Sequence, residues 1–356
     1  MNKIIATLTL VLALAPAAPA RDPVPEIKAG FVYVAPVGDA GWNYAHDQGR
    51  KEMAALPFVK ETRFVENVNE GGDAIRVLTQ FAEMGYNLIF ATSYGYMDQT
   101  LAVAEKYPAI VFMHCSGSKT APNMTSYFGR MYQARFLTGL VAGKMTKSNV
   151  IGYVAAHPIP EVVRGINAFT LGVTEANPAA KVKVVWTYTW FDPAKEKQAA
   201  ESLIAVGADV IAQHQDSPAA QQAAQENGKF CIGYNTDMSA FAPKAHLTAA
   251  IWHWGVLYKT IAQQVHDGTW TNQPIWWGLE TGLIDIAPFG PMVPDDVKAL
   301  VEKAKAEIAS GKKVIFRGPV KDQEGKIVIP EGTVPSDREL FTMGYFVQGV
   351  DGQIPK

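Results

Sequence analysis

The sequence contains very little cysteine and no excess of charge of either sign. Only 2 of its 356 residues are cysteines, and 32 lysines and arginines stand against 34 aspartates and glutamates. The balanced charge argues against a nucleic-acid partner, which usually leaves a basic excess or a basic stripe. Cys115 and Cys231 each lie at one end of an apolar run, so we expect two buried free thiols, with a single bridge as the alternative.

The familiar signatures of catalysis and cofactor binding are also missing. The sequence has no P-loop, no Gly-x-Gly-x-x-Gly after the first strand, no Gly-x-Ser-x-Gly elbow, no His-Glu-x-x-His and no paired Cys-x-x-Cys. The 7 histidines are scattered, and the nearest approach to metal-ligand spacing is His214 with Asp216. We therefore expect no catalytic residue, no cofactor and no metal.

The only long apolar stretch stands at the N-terminus. Lys3, an apolar run over residues 4–15 and small residues at 18–20 are typical of a secretory signal peptide, predicted over residues 1–20. No later run reaches the ~18 apolar residues of a membrane helix, and no cysteine follows the apolar run to carry a lipid. We expect a periplasmic protein without a lipid anchor.

What the sequence does contain is a long alternation of short β-rich runs with stretches of helical period. A strand at 31–35 and a helix at 43–55 begin the series, which starts again after a helix rich in small residues at 131–145. Such alternation is typical of βαβ units around a parallel sheet. Two consecutive series predict an α/β fold with two doubly wound, Rossmann-like lobes.

The predicted lobes are connected without a Gly/Ser-rich or Pro-rich tether. We assign residues 27–126 plus 247–285 to the first lobe and residues 127–246 plus 286–317 to the second. Residues 318–356 form a tail expected to lie across the outside of the lobes. Short crossings between two lobes favour a hinge, and a hinge suits a clamshell that closes.

Candidate ligand-binding residues follow the predicted strands, because ligands of open α/β sheets bind beyond the carboxyl ends of the strands. They are Asp39, Trp42, Asn43, Tyr94 and His114 in the first lobe, and Trp190, Asp216, Asn235 and Asp237 in the second. Aromatic faces and polar edges from two lobes suit a flat, hydrogen-bonding heterocycle. Simpler roles stay open: Asn43 as a helix cap, Trp42 as packing and His114 as an ordinary buried histidine.

Five motifs occur in a consistent order along nearly the whole mature chain. They are Gly38-Asp39-x-x-Trp42-Asn43, Asp192-Pro193-Ala194-Lys195, Gly207-Ala208-Asp209-Val210-Ile211, Gly233-Tyr234-Asn235-Thr236-Asp237 and Gly318-Pro319-Val320-Lys321-Asp322. This order resembles the BMP family of substrate-binding proteins, which serve ABC importers and include purine nucleoside receptors. The resemblance implies a type I periplasmic-binding-protein fold that closes on a small ligand and delivers it to an ABC permease in the inner membrane. A monomer is expected.

The resemblance also implies roles for individual residues. Trp42 and Trp190 match the two aromatics that stack on the faces of the base in nucleoside-binding members. His114 stands where an Asp typically binds the base edge. Asn235 replaces the Asp of the loop that grips the ribose, and Trp252 replaces a Lys of the hinge strand. Because both replacements remove charge and Trp252 adds bulk, we expect a free purine base or a similar planar heterocycle.

Three other functions stay open at this point. The protein could bind a purine nucleoside, or it could hold a quaternary ammonium by cation–π attraction in a box of tryptophans. The box would comprise Trp42, Trp190, Trp252 and Trp254. The third alternative is a hydrolase that uses Asp39 and Asp216 as paired carboxylates. The liganded form could also signal to a membrane receptor instead of a permease. The same observations on ligand binding would support that function.

Overall fold

The computed structural model describes residues 21–355, and the expected signal peptide at 1–20 lies outside them. The described chain contains fifteen strands and ten α-helices. The strands are β1 Ile27–Val32, β2 Val59–Val65, β3 Leu88–Ala91, β4 Val111–Cys115, β5 Met124–Gly129, β6 Val150–Ala155, β7 Lys181–Trp186, β8 Val210–His214, β9 Phe230–Asn235, β10 His246–Trp252, β11 Ile275–Trp277, β12 Ile284–Ile286, β13 Val320–Lys321, β14 Ile327–Ile329 and β15 Val350–Asp351. The helices are α1 Trp42–Ala54, α2 Gly72–Glu83, α3 Met97–Ala104, α4 Tyr132–Met145, α5 Pro160–Ala176, α6 Pro193–Ala205, α7 Ala219–Glu226, α8 Trp254–His266, α9 Asp295–Ala309 and α10 Asp337–Phe341.

The strands form two large sheets, one in each lobe. The first sheet has the order β11-β5-β4-β3-β1-β2 and is parallel throughout. The second has the order β12-β10-β9-β8-β6-β7-β15, and only β12 runs antiparallel to its neighbour. In each sheet the strands spread in both directions from the first strand of the series, which is the doubly wound arrangement. The predicted pair of α/β lobes is confirmed.

Helices cover both faces of each sheet, which explains why the strands read as continuous apolar runs. In β1, Phe31 belongs to the core that also contains Trp254 and Tyr258 of α8. The next residue, Val32, belongs to a separate core that contains Leu78 of α2 and Val103 of α3. Successive side chains of a strand point to opposite faces, so a strand buried on both faces needs apolar residues at every position.

The hydrogen-bond ladders correct the lobe boundaries expected from the sequence. β5 pairs within the first sheet along its whole length, so residues 127–129 belong to the first lobe. β10 and β12 pair within the second sheet, so residues 247–252 and 284–285 belong to the second lobe. A strand continues to pair as far as its neighbour allows, and the hinge begins only where the ladder stops. The chain therefore crosses between lobes after Gly129, around His253 and between β11 and β12.

The C-terminal tail lies along the second lobe. β15 adds to its sheet beside β7, and Asn167 of α5 bonds the backbone at Tyr345 (2.8 Å) and Val347 (3.0 Å). An ion pair between Arg130 and Asp337 (2.7 Å) joins the tail to the crossing after β5. Residues 313–316 form no strand. Within residues 21–355, no helix combines the length and the apolar character needed to cross a membrane.

Candidate functional site

A cavity lies between the two lobes, at the carboxyl ends of the strands. Its empty volume, open mouth included, is about 350 Å³. The first lobe lines it with Val34, Trp42, Ser93, Tyr94 and Ser116, and the second with Glu161, Trp190, His214, Asp216 and Tyr234. Four of the ten predicted ligand-binding residues therefore line the cavity: Trp42, Tyr94, Trp190 and Asp216.

The two predicted stacking residues come from opposite lobes. Trp42 begins α1, and its indole N–H donates to the carbonyl of Thr92 (2.7 Å). Trp190 lies in the loop before α6, where its carbonyl accepts the N–H of Asp216 (3.1 Å) and its ring lies 4.7 Å from that of His157. Both indoles are therefore held by their own lobe while they line one cavity.

Asp39 and Asn43 lie behind the cavity wall, in contrast to the ligand contacts expected of them. The Asp39 carboxylate accepts the backbone N–H groups of Gly41 (2.8 Å), Asn43 (2.9 Å) and Tyr44 (3.0 Å), and also the side-chain amide of Asn43 (2.7 Å). Burial raises the pKa of Asp39 to about 6, and these hydrogen bonds oppose the shift. The carboxylate satisfies the open N-terminus of α1, so capping explains its burial. Oδ1 of Asn43 is buried without a partner among the described residues.

His114 and Asp237 also lie away from the cavity. His114 is fully buried beneath Gly117, with Nε2 2.9 Å from the carbonyl of Ser93, and burial lowers the pKa of His114 to about 4. Asp237 is exposed and accepts the N–H of Ser239 (2.9 Å). β4 continues to Cys115, so the His114 side chain is still part of the sheet and does not line the cavity. The residue that reaches the cavity is Ser116.

Asn235 and Trp252 support the site from the hinge without lining the cavity. The Asn235 amide donates to Oδ1 of Asp216 (3.1 Å), and its oxygen accepts the indole N–H of Trp252 (3.2 Å). Trp252 stacks on Trp254 at 4.4 Å and is only 5% exposed. A Cβ on Gly129 would collide with the Trp252 ring. The indole fills the space beside the hinge, and Asn235 holds Asp216 at the cavity.

Six lining residues were not among the predicted ligand-binding residues: Val34, Ser93, Ser116, Glu161, His214 and Tyr234. Glu161 lies in the first turn of α5, with Oε1 3.6 Å from Nε2 of His214. Burial raises the pKa of Glu161 to about 7 and lowers that of His214 well below its usual value. His214 and Tyr234 end or nearly end strands, so the strand-end rule could have found them. Glu161 had no such signal, because it lies inside a helix.

The lobes touch each other at one side of the cavity. The Thr236 hydroxyl donates to the carbonyl of Ala40 across the cleft (2.5 Å). A Cβ on Gly41 would collide with the carbonyl oxygen of Asp216, so only glycine permits this approach. Ala40 and Asn235 both adopt positive φ (62° and 71°), a costly conformation that recurs where geometry is functionally constrained. The backbone thus brings the two lobes together around the cavity.

Known proteins that are similar to this chain identify its family. Residues 26–324 match the Bmp family model, described as ABC transporter substrate-binding protein PnrA-like. The chain belongs to the Bmp family. It is 48% identical over 332 residues to a purine-binding protein of Brucella abortus, covering 93% of this chain and 95% of that protein. It is also 41% identical over 330 residues to a Haloferax volcanii protein, covering 92% and 81% respectively. The name of that relative is a provisional one, ABC transporter glucose-binding protein.

A solved structure confirms the expected fold of this Bmp-family chain. A solute-binding protein of an ABC transporter system from Conexibacter woesei superposes with a TM-score of 0.68 at 23% identity, covering 81% of this chain and 98% of that one. The fold is therefore the type I periplasmic-binding-protein fold. The chain belongs to a family of substrate-binding proteins and has two lobes with a cavity between them. This architecture serves the reversible capture of a small molecule.

Proposed function

We propose that this protein captures a purine base, or a similar planar heterocycle, outside the cytoplasm and delivers it to an ABC permease. The observation that carries the proposal is the pair of indoles, Trp42 and Trp190, which belong to opposite lobes and line one cavity of about 350 Å³. Stacking of a base on an aromatic side chain contributes roughly 1–3 kcal/mol per base. Two such faces favour a flat ring over a ligand of irregular shape.

The hinge favours a base over a nucleoside. Trp252 is packed between Trp254 and Gly129, and its N–H is bonded to Asn235. A pentose in that region would have to displace a stacked indole that is 5% exposed.

The setting of the binding step is part of the proposal. The signal peptide expected at residues 1–20 would direct the protein to the periplasm, where a monomer without lipid anchor would meet its permease. Membership of a family of ABC substrate-binding proteins supports the permease as partner. The purine-binding name of the Brucella abortus relative supports the ligand class.

A sugar is the competing ligand, because the Haloferax volcanii relative carries a provisional glucose-binding name. Aromatic faces also pack against sugar rings, so the indoles alone do not separate the two. The buried carboxyls Glu161 and Asp216 accept hydrogen bonds from sugar hydroxyls and from purine N–H groups alike. The ligand class therefore has to be measured.

Isothermal titration calorimetry on ligand-stripped protein tests the proposal with adenine, guanine, hypoxanthine, inosine, glucose and choline. We expect a free base to bind most tightly and to be recovered chemically unaltered. Trp190→Ala should weaken base binding by about ten- to a hundred-fold, from the ~1–3 kcal/mol of one lost stacking face. Trp186→Ala removes an indole that bonds the tail outside the cavity and serves as the matched control.

Each competing ligand gives a distinct result in this panel. Tighter binding of inosine than of any base would overturn the hinge argument, and glucose as the tightest ligand would replace the purine proposal. Choline as the tightest ligand would favour the aromatic box. Conversion of inosine to base and sugar would indicate a hydrolase.

A further inference from the structure

The floor of the cavity is built by the second lobe, and much of its polar surface has no partner. His214, Asp216 and Tyr234 are 5%, 4% and 1% exposed. Nδ1 of His214 and the Tyr234 hydroxyl have no hydrogen-bond partner among residues 21–355. Nε2 of His214 lies 3.6 Å from the Glu161 carboxyl, too far for a hydrogen bond. Buried polar atoms at a cavity wall are costly unless a ligand or water bonds them.

The positive charges near the floor do not reach the cavity. Arg135 is 1% exposed, donates to the carbonyl of Gln213 (2.7 Å) and lies 3.7 Å from the centre of the Tyr234 ring. Arg164 donates to the carbonyl of Leu340 in the tail (2.7 Å). Among the described residues that line the cavity there are two carboxyls, Glu161 and Asp216, and no lysine or arginine. The floor therefore offers carboxyl oxygens as hydrogen-bond acceptors without a cation that lines the cavity beside them.

We propose that Glu161 and Asp216 together accept two N–H groups from one edge of the ligand, so that the site selects aminopurines over 2,6-dioxopurines. This inference rests on the proposed function and names its substrate class. Adenine and guanine carry an exocyclic amine with N–H groups to donate, and hydrogen bonds to ionised carboxylates are the stronger kind. Xanthine and urate have carbonyl oxygens in place of the exocyclic amine, so their ring N–H groups come with acceptors that the carboxylates repel, and their anions add a further negative charge at close range.

The protonation of Glu161 gives the inference a signature in pH. Titratable and charged groups face it from every element around it: Arg135 (α4), Arg164 (α5), Tyr153 (β6), His214 (β8), Asp216 (the loop after β8), Tyr234 (β9) and Cys115 (β4). Burial raises the pKa of Glu161 to about 7, and the two arginines oppose the rise. Protonation removes the charge that accepts the N–H, so aminopurine affinity should fall as the pH drops through about 7. Burial also raises the pKa of Asp216, which would still titrate when Glu161 is replaced.

Calorimetry on the wild type and on Glu161→Gln tests the inference at about pH 6 and about pH 8, with adenine, guanine, xanthine and urate. We expect the wild type to prefer adenine and guanine, with tighter binding at the higher pH. Glu161→Gln should bind adenine about ten-fold more weakly at about pH 8 and should lose much of the pH dependence. The ratio of adenine affinity to xanthine affinity should be smaller in Glu161→Gln than in the wild type. Glu105→Gln, an exposed glutamate on the outside of the first lobe, is the matched control.

Two further measurements separate loss of binding from loss of folding. The unfolding midpoint of Glu161→Gln shows whether the variant is folded. The affinity of Tyr234→Phe for the same purines tests a floor residue without changing the charge of the floor. Equal binding of all four purines by the wild type, or unchanged affinity and pH dependence in Glu161→Gln, would overturn this inference and leave the proposed function standing. A wild type that binds no purine at all would overturn both.

Discussion

In the first lobe, the Trp42 indole and the hydroxyls of Ser93 and Ser116 line the cavity and are bonded within that lobe, whereas two polar groups that line it from the second lobe are not bonded. In the first lobe, the Asp39 carboxylate accepts four N–H groups and the Trp42 indole donates to a backbone carbonyl. In the second lobe, Nδ1 of His214 and the Tyr234 hydroxyl have no partner among the described residues, and Oε1 of Glu161 lies 3.6 Å from Nε2 of His214. The polar groups of one wall are bonded on folding, whereas some of those on the other wall are left for a ligand or water to bond.

This difference separates stability from affinity. A buried group that is bonded within the protein contributes to the free energy of unfolding, and its loss leaves its partners unsatisfied. A buried group without a partner costs stability in the free protein and contributes when the ligand arrives. Substitutions in the first wall should therefore affect mainly unfolding, and those in the second mainly binding.

The largest expected effect is that of Asp39→Ala. Removing the carboxylate leaves three backbone N–H groups and the Asn43 amide without their acceptor at the start of α1, so the free energy of unfolding should fall by about 3 kcal/mol. Urea denaturation measures the loss. Asp237→Ala is the control, because that exposed carboxylate should contribute less than about 1 kcal/mol. Equal losses in the two variants would contradict the bonded first wall.

Gly41→Ala tests whether the lobes must touch for the ligand to be held. The new Cβ would collide with the carbonyl of Asp216 and hold the lobes apart, which should weaken binding by about thirty-fold, or about 2 kcal/mol. Calorimetry gives the affinity, and small-angle scattering reports whether ligand still compacts the protein. Gly38→Ala is matched to it, since a Cβ there meets no atom within 4 Å. Undiminished affinity in Gly41→Ala would mean that this contact does not govern closure.

The smallest expected effect is that of His114→Gln, which tests a residue expected from sequence to bind ligand. Because His114 lies under Gly117, ligand affinity should stay within about two-fold, with a stability loss of about 1 kcal/mol from the Ser93 hydrogen bond. Its folded pKa of about 4 lies below the 6.5 of a free histidine, so the unfolded chain takes up the proton first. Stability should fall from pH 6.5 towards 4, and the variant should lose part of that dependence. A large loss of ligand affinity in His114→Gln would indicate that His114 contributes to binding.

Trp42, Trp190 and Asp216 could be predicted as cavity residues from the sequence, whereas Glu161 could not. Trp42 and Trp190 lie in segments between a strand and the body of the next helix, where the chain faces the cleft. His114 does not line the cavity, because β4 continues to Cys115 and one residue of register turns a side chain to the other face. Glu161 was missed because it comes six residues after β6, and only the packing of α5 brings it to the cavity.

By itself, the sequence determined the two α/β lobes, through the alternation of strand and helix periods, and the family, through an ordered series of motifs. These are local signals, since each depends on residues that are close together along the chain. Only the tertiary structure decided that Asp39 caps a helix and that Glu161, His214 and Tyr234 line the cavity. That outcome depends on where each ladder of hydrogen bonds stops and on how two lobes meet across a hinge. Both are set by pairings between residues far apart in the chain.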